Sequence, residues 1–202
     1  LKNRANPYAK PDAKTLEARA KGYPARSVFK LQEIDRRMRL FRAGQNVIDL
    51  GAAPGSWSLF ASERVGPTGH VYAIDIKPLL QVFGENVKVL EGDALSLESE
   101  VLAAHAPYDV VLSDMAPNTS GSKFQDQARS TELFLRALEV ALAHGKPGSH
   151  FVAKIFMNGD FKPAEMQVRA AYENVRTIRP EGTRQVSTEV FVVGMGRKRI
   201  EE

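Results

Sequence analysis

Two hundred and two residues suit one domain able to bury its own core, and 43% hydrophobic with 26% charged residues is an ordinary globular balance. No apolar run approaches the roughly 18 residues of a membrane span, and the absence of cysteine excludes disulfides, thiolate metal sites and any thiolate nucleophile. The net charge of +4 is unevenly spread, with twelve Lys or Arg against four acids in residues 1–45 (+8) and sixteen against twenty in the remainder (−4).

Charge concentrated in the first 45 residues suits a polyanion such as RNA, and a solvated helical face is an equally open reading. The start lacks the apolar stretch of a secretory signal, so a cytoplasmic protein is expected, with an organelle matrix also compatible. Ser27 is placed to cap an amphipathic helix carrying Phe29, Leu31, Ile34 and Met38. Strands are then expected at Asn46–Leu50, His70–Ile74, Val87–Leu90 and Tyr108–Ser113. A helix follows from about Gln125 to His144, with Gly145 as a left-handed stop, then a strand at Ser149–Ile155 and a helix over about Pro163–Tyr172. The final strands, Asn174–Ile178 and Glu189–Met195, have no helical pattern between them and predict a β-hairpin at a sheet edge. Alternating β and α segments predict an α/β fold with a mostly parallel sheet. The chain reads as a single domain, residues 1–202, with a basic helical segment to residue 45 and an α/β core over 46–202.

The sharpest local pattern is Asn46-Val-Ile-Asp-Leu-Gly-Ala-Ala-Pro-Gly-Ser-Trp57: a buried strand, a turn of small residues, then a helix. Gly51, Ala52, Ala53 and Gly55 let a ligand approach the backbone at the carboxyl end of the first strand, where open α/β sheets bind nucleosides. The spacing is neither the G-x-G-x-x-G of dinucleotide sites nor a P-loop. Asp75 ends the second strand about 20 residues past Gly55, where an acceptor for two ribose hydroxyls belongs. The third strand runs into Glu91-Gly-Asp93 and the fourth into Asp114, so four consecutive strands end at or beside an acid on one edge.

With these residues in place, the chain resembles the FtsJ/RrmJ-type ribose 2′-O-methyltransferases. The likeness runs from Gly22-Tyr-Pro-Ala-Arg-Ser-Val-Phe-Lys30 through Asp49-Leu-Gly-Ala-Ala-Pro-Gly-Ser-Trp-Ser58 and Leu112-Ser-Asp-Met-Ala-Pro-Asn-Thr-Ser-Gly121. It continues in Phe151-Val-Ala-Lys-Ile-Phe156, Ser187-Thr-Glu-Val-Phe191 and Gly196-Arg-Lys198. The resemblance implies a Rossmann-like S-adenosylmethionine-dependent fold, with a seven-stranded sheet whose last strand is antiparallel and helices on both faces. It implies methyl transfer to a ribose 2′-hydroxyl of RNA, yielding S-adenosylhomocysteine, by a monomer that needs neither metal nor membrane. The family's Lys-Asp-Lys-Glu tetrad falls on Lys30, Asp114, Lys154 and Glu189, and its cofactor contacts on Gly51, Gly55, Trp57, Asp75, Asp93 and Asp114. Ser56 departs from the second glycine usual in ribosomal members. The ribosomal branch, acting on a uridine of the large subunit during ribosome maturation, is the nearest match; a transfer-RNA enzyme and a non-catalytic assembly factor are the alternatives.

A sulfonium methyl is already an activated electrophile, so the protein must align it with the attacking oxygen and handle that oxygen's proton. Lys154, a lysine in an otherwise apolar strand, is the expected base or proton acceptor, with Lys30 as a second nearby cation and Asp114 and Glu189 as orienting acids. A lysine snorkelling from a strand end is the competing reading. Asp114-Met-Ala-Pro117 offers no aromatic to stack on a base, which disfavours amino-group methylation, and carbon-5 methylation would need a cysteine. Arg19, Lys21, Arg26, Arg36 and Arg37, followed by Arg39 and Arg42, are the expected phosphate contacts, and Tyr8 and Tyr23 are candidates for stacking on bases or, equally, for packing. Asn118-Thr-Ser-Gly121 and Lys123 are expected near the substrate cleft.

Overall fold

The computed structural model describes residues 12–117, 121–181 and 188–199. Two short helices, α1 (Ala13–Ala20) and α2 (Val28–Met38), precede β1 (Asn46–Leu50), α3 (Ser56–Val65), β2 (His70–Asp75) and β3 (Val87–Glu91). There follow α4 (Ser99–Ala103), β4 (Tyr108–Ser113), α5 (Lys123–His144), β5 (Gly145–Phe156), α6 (Phe161–Ala171), β6 (Tyr172–Ile178) and β7 (Glu189–Arg197). The strands form one sheet in the order β3-β2-β1-β4-β5-β7-β6. β1 to β5 pair parallel, while β7 runs antiparallel to both neighbours and makes the expected hairpin with β6 at the edge.

Period-2 alternation in doubly buried strands sends neighbouring apolar residues to opposite layers. Val47, Val110, Val152 and Phe191 pack with Leu31 and Ile34 of α2 and Phe60 of α3 on one face. Ile48, Val111, Phe151 and Ile155 pack with Phe134 of α5 and Phe161 and Val168 of α6 on the other. The sheet order reverses between β1 and β4, so the carboxyl ends of those strands open the crevice in which such sheets place ligands.

Two sequence expectations need correction. Ser27 does occupy the position before α2, yet its backbone is already helical (φ −57°, ψ −26°) and its hydroxyl makes no cap, because the chain enters α2 through a preceding turn. Gly145 is extended (φ −77°, ψ 148°) rather than left-handed, since α5 passes straight into β5. Glycine is needed there for space: a Cβ would sit 2.5 Å from the Ala141 carbonyl oxygen.

Candidate active site

The turn after β1 is built around Gly51, whose φ of +78° favours glycine, and whose hypothetical Cβ would lie 2.5 Å from Met115 Cγ and 2.9 Å from Met115 Cα. The β1 turn and the segment after β4 therefore touch backbone to backbone. Between them, with the ends of β2 and β3, lies a cleft lined by Gly51, Ala53, Asp75, Asp93, Asp114 and Met115, with Ile74 and Leu133 as apolar wall. Asp75 is held in place by backbone donors: Oδ2 accepts the Ala53 N–H and Oδ1 the Lys77 N–H, each at 2.8 Å. Each oxygen keeps a lone pair for a further donor. Asp93 accepts the Leu95 N–H at 3.0 Å and stands at the exposed rim. Among the described residues, three acids and one cation, Lys77, line the cleft. That polarity repels phosphates and suits a ligand carrying hydroxyl or amino donors and positive charge.

Expected cofactor residues sort into three groups. Gly51, Asp75, Asp93 and Asp114 line the cleft. Gly55, left-handed at φ +107°, lies against the Phe83 ring, with a Cβ position 2.9 Å from Phe83 Cζ. The Trp57 ring is buried away from the cleft, donating from Nε1 to the Ser27 carbonyl at 2.9 Å and packing on Phe191, so its side chain joins α3 to α2 and β7. Met115, Leu133 and Lys77 are cleft residues that the sequence reading missed; the two-residue step from Asp75 was the one signal for Lys77. The acid of the first strand, Asp49, is fully buried beneath the turn, accepts a hydrogen bond from Ser58 Oγ at 2.6 Å on one oxygen and has no partner on the other.

Beside the cleft, the four tetrad residues converge as two ion pairs. Lys154 lies on β5 opposite Phe191 of β7, and Glu189 is opposite Phe156, so Lys154 and Glu189 share one sheet face a single step apart. Asp114 directly follows Ser113, whose partner on β5 is Ala153. Lys154, only 6% exposed, donates from Nζ to the Asp114 carbonyl oxygen at 2.6 Å and to Asp114 Oδ1 at 2.9 Å. Lys30, in the first turn of α2, meets Glu189 Oε1 at 2.5 Å and lies 5.7 Å from the Phe191 ring centroid. Each lysine is thus paired with an acid instead of facing the other lysine alone. Asp114 belongs to both constellations: it lines the cleft and anchors Lys154.

Replacing Gly51 by alanine is expected to push the Asp114–Met115 backbone away from the turn. Titration with S-adenosylhomocysteine, the cofactor product that the family resemblance implies for this cleft, should then give at least a tenfold weaker affinity, with a smaller change in melting temperature. Unchanged affinity would mean that the backbone contact has no part in the cleft.

The expected RNA contacts do not behave alike. Lys21 is paired with Glu17 at 2.7 Å, Arg26 with Asp12, and Arg37 with Glu33 at 2.5 Å. Arg19 and Arg36 are exposed, as is Lys123 at the start of α5. Tyr23 is buried, and its hydroxyl donates to Glu63 at 2.5 Å; burial and the Glu63 carboxylate push that phenol up to about 12, so it is a packing residue rather than a stacking platform. Tyr8 and Asn118–Ser120 lie outside the described residues. Among the described residues no cluster of three or more His, Asp or Glu is placed to hold a metal ion, and no helix is long and apolar enough to cross a membrane.

A family model described as FtsJ-like methyltransferase matches residues 23–197. A protein of Sorangium cellulosum (strain So ce56) named "Ribosomal RNA large subunit methyltransferase E" is 61% identical over 193 residues, covering 96% of this chain and 91% of the relative. A protein of the same name from Oleidesulfovibrio alaskensis is 46% identical over 190 residues, covering 93% and 92% of the two chains. Among solved structures, a Plasmodium falciparum chain described as a ribosomal RNA methyltransferase superposes with a TM-score of 0.76 at 21% identity, covering 87% of this chain and 98% of that one. That last likeness speaks for the fold alone.

Proposed function

This chain belongs to the FtsJ-like methyltransferase family, and from that premise we propose that it transfers the methyl group of S-adenosylmethionine to a ribose 2′-hydroxyl of large-subunit ribosomal RNA. The single observation that carries the reading is Asp114, whose side chain lines the acidic cleft and also holds Lys154. A nucleoside cofactor in the cleft and a hydroxyl at the tetrad would meet across that residue. The cleft's chemistry fits the cofactor: Asp75 offers two oriented acceptors to a ribose diol, and three carboxylates favour a cationic ligand. When bound, S-adenosylmethionine supplies a methyl group already activated on a sulfonium centre.

The remaining work falls on the protein. Two N–H donors of Lys154 are committed to Asp114, which fixes the direction of its remaining position. Once its own proton has passed to solvent, Lys154 would present a lone pair in that position and accept the proton of a 2′-hydroxyl held there, leaving the oxygen free to attack an activated methyl group. Lys30, held by Glu189 one step from Lys154 on the same sheet face, would steady the negative charge that grows on the attacking oxygen. Asp114 and Glu189 orient the two amines. The relatives' names, which specify the large ribosomal subunit, support that substrate.

The test is transfer of labelled methyl from S-adenosylmethionine to large ribosomal subunits lacking this modification, alongside free ribosomal RNA and transfer RNA, followed by digestion to nucleosides. Label in a 2′-O-methylnucleoside from the subunits is expected. Label confined to transfer RNA would reassign the substrate, and no label in any RNA would overturn the reading.

A further inference from the structure

The amino edge of the sheet, away from the cleft, carries a second concentration of positive charge that methyl transfer leaves unused. α2 starts beside Glu189 at the carboxyl edge and ends near the start of β1, where α3 also ends. In a groove at that edge stand Arg36, Arg39, Arg42 and Arg64, with Asp35 and Phe41. Asp35 is buried and committed: Oδ1 accepts the N–H groups of Leu40 and Phe41 at 2.9 and 3.3 Å, and Oδ2 meets Arg64 Nε at 3.1 Å. Among the described residues no acid forms an ion pair with Arg36, Arg39 or Arg42. Among the described residues the groove therefore presents several guanidinium groups and no exposed carboxylate.

Arg39 has an unusual backbone. At φ 54° and ψ 57° it is the one non-glycine residue with positive φ among those described, at the end of α2 where glycine is the usual occupant. A strained backbone carrying a large cationic side chain is explained most directly by what that side chain binds. Phe41 is buried and offers no face for a base to stack on, so the groove suits backbone rather than base recognition.

We propose that this groove is a phosphate-binding site that grips the sugar-phosphate backbone of the substrate RNA away from the nucleotide being methylated. The planar guanidinium matches a phosphate with two parallel hydrogen bonds, which a lysine cannot do. Nine residues of helical rise separate Lys30 from Arg39, roughly 14 Å, so the tetrad and the groove hold different parts of a folded RNA. The proposal rests on the RNA methyltransferase reading and deepens it by giving the substrate a second point of contact.

The experiment uses the full chain carrying Arg36→Gln, Arg39→Gly and Arg42→Gln together, none of them in the tetrad or the cleft. Binding of fluorescently labelled large-subunit ribosomal RNA is measured by anisotropy over a range of salt, and methyl transfer is measured on the same RNA. The parent should bind with a steep salt dependence. In the variant, affinity should fall by about tenfold or more, and the slope of log affinity against log salt should flatten by roughly two, as expected for two or three lost phosphate contacts. KM for RNA should rise while kcat and S-adenosylhomocysteine affinity change less than twofold, and the melting temperature should hold because Arg39→Gly suits its backbone. Unchanged affinity and slope, or no RNA binding by the parent, would overturn the groove. A fall in kcat with KM unchanged would overturn it too. Absence of methyl transfer by the parent, by contrast, counts against the activity reading and leaves the binding measurement to decide the groove by itself.

Discussion

Replacing Lys154 by alanine is expected to slow methyl transfer to RNA by about 10²- to 10⁴-fold, the range for removal of a positioned acid or base. The side chain sits 6% exposed between the cleft and β7, and no other cation among the described residues is paired with Asp114. S-adenosylhomocysteine affinity should change less than tenfold, because the cleft's other walls stay in place, while melting falls modestly as the Asp114 carboxylate loses its cation. Lys154→Arg separates the two roles open to this residue. Arginine preserves the positive charge beside Asp114 but has no lone pair to offer a hydroxyl proton. Loss of activity in both variants, with both still folded and binding cofactor product, is the expected result. An arginine variant that keeps most of the parent's rate would limit Lys154 to orienting the hydroxyl electrostatically.

The second large effect is on stability. Asp49 is fully buried with one hydrogen bond, from Ser58, and one oxygen unpartnered. Burial raises its carboxyl, against the Ser58 hydrogen bond and with help from the charges of Asp114 and Asp75, to about 7 from an ordinary 3.8. Between those two values the folded chain binds a proton that the unfolded chain does not, so this contribution to stability falls as pH rises through 7. Linkage puts the loss at about 2 kcal/mol between pH 5.5 and 8.5. Asp49→Asn keeps an oxygen for Ser58 and has nothing to titrate. Denaturant unfolding across that window should find the variant gaining on the parent mainly up to pH 7 and levelling off above it, and more stable than it at pH 8.5. The comparison isolates Asp49 from His105, His144 and His150, whose burial lowers them and gives a pH dependence of the opposite sign in both chains. Parallel curves for parent and variant would mean that Asp49 is ionised throughout.

The strands were legible because each is a run of β-branched and aromatic residues bounded by turn residues. All seven fall where the pattern puts them, with ends moved by up to four residues, the largest shift being the start of β5. The Gly51–Gly55 turn was legible for the same local reason. The two misread helix ends, at Ser27 and Gly145, were settled by the segments on either side: a turn already in progress before α2, and a strand following α5 without a loop. Trp57 was expected at the cofactor from the family resemblance and Tyr23 either in stacking on a base or in packing, and chain order does not tell a ring that lines a cleft from one that packs beneath it.

What the sequence determined by itself was the β and α alternation, the small-residue turn at the end of β1, and the acids at the ends of four consecutive strands, while the two lysines were marked by the family resemblance. Those properties are written in local periodicity and in short motifs whose neighbours are fixed by covalent spacing. Only the tertiary structure decided which lysine met which acid, that Asp49 was buried beneath the turn while Asp75, Asp93 and Asp114 faced the cleft, and that Arg37 was held by Glu33 while Arg36, Arg39 and Arg42 shared a groove with Arg64. Lys30 and Glu189 are brought to 2.5 Å by the packing of α2 on β7, and Lys154 and Glu189 to one sheet face by antiparallel register. Such pairings depend on distances between segments remote in the chain, and opposite charges at that separation carry no mark of their partner until the strands and helices have packed.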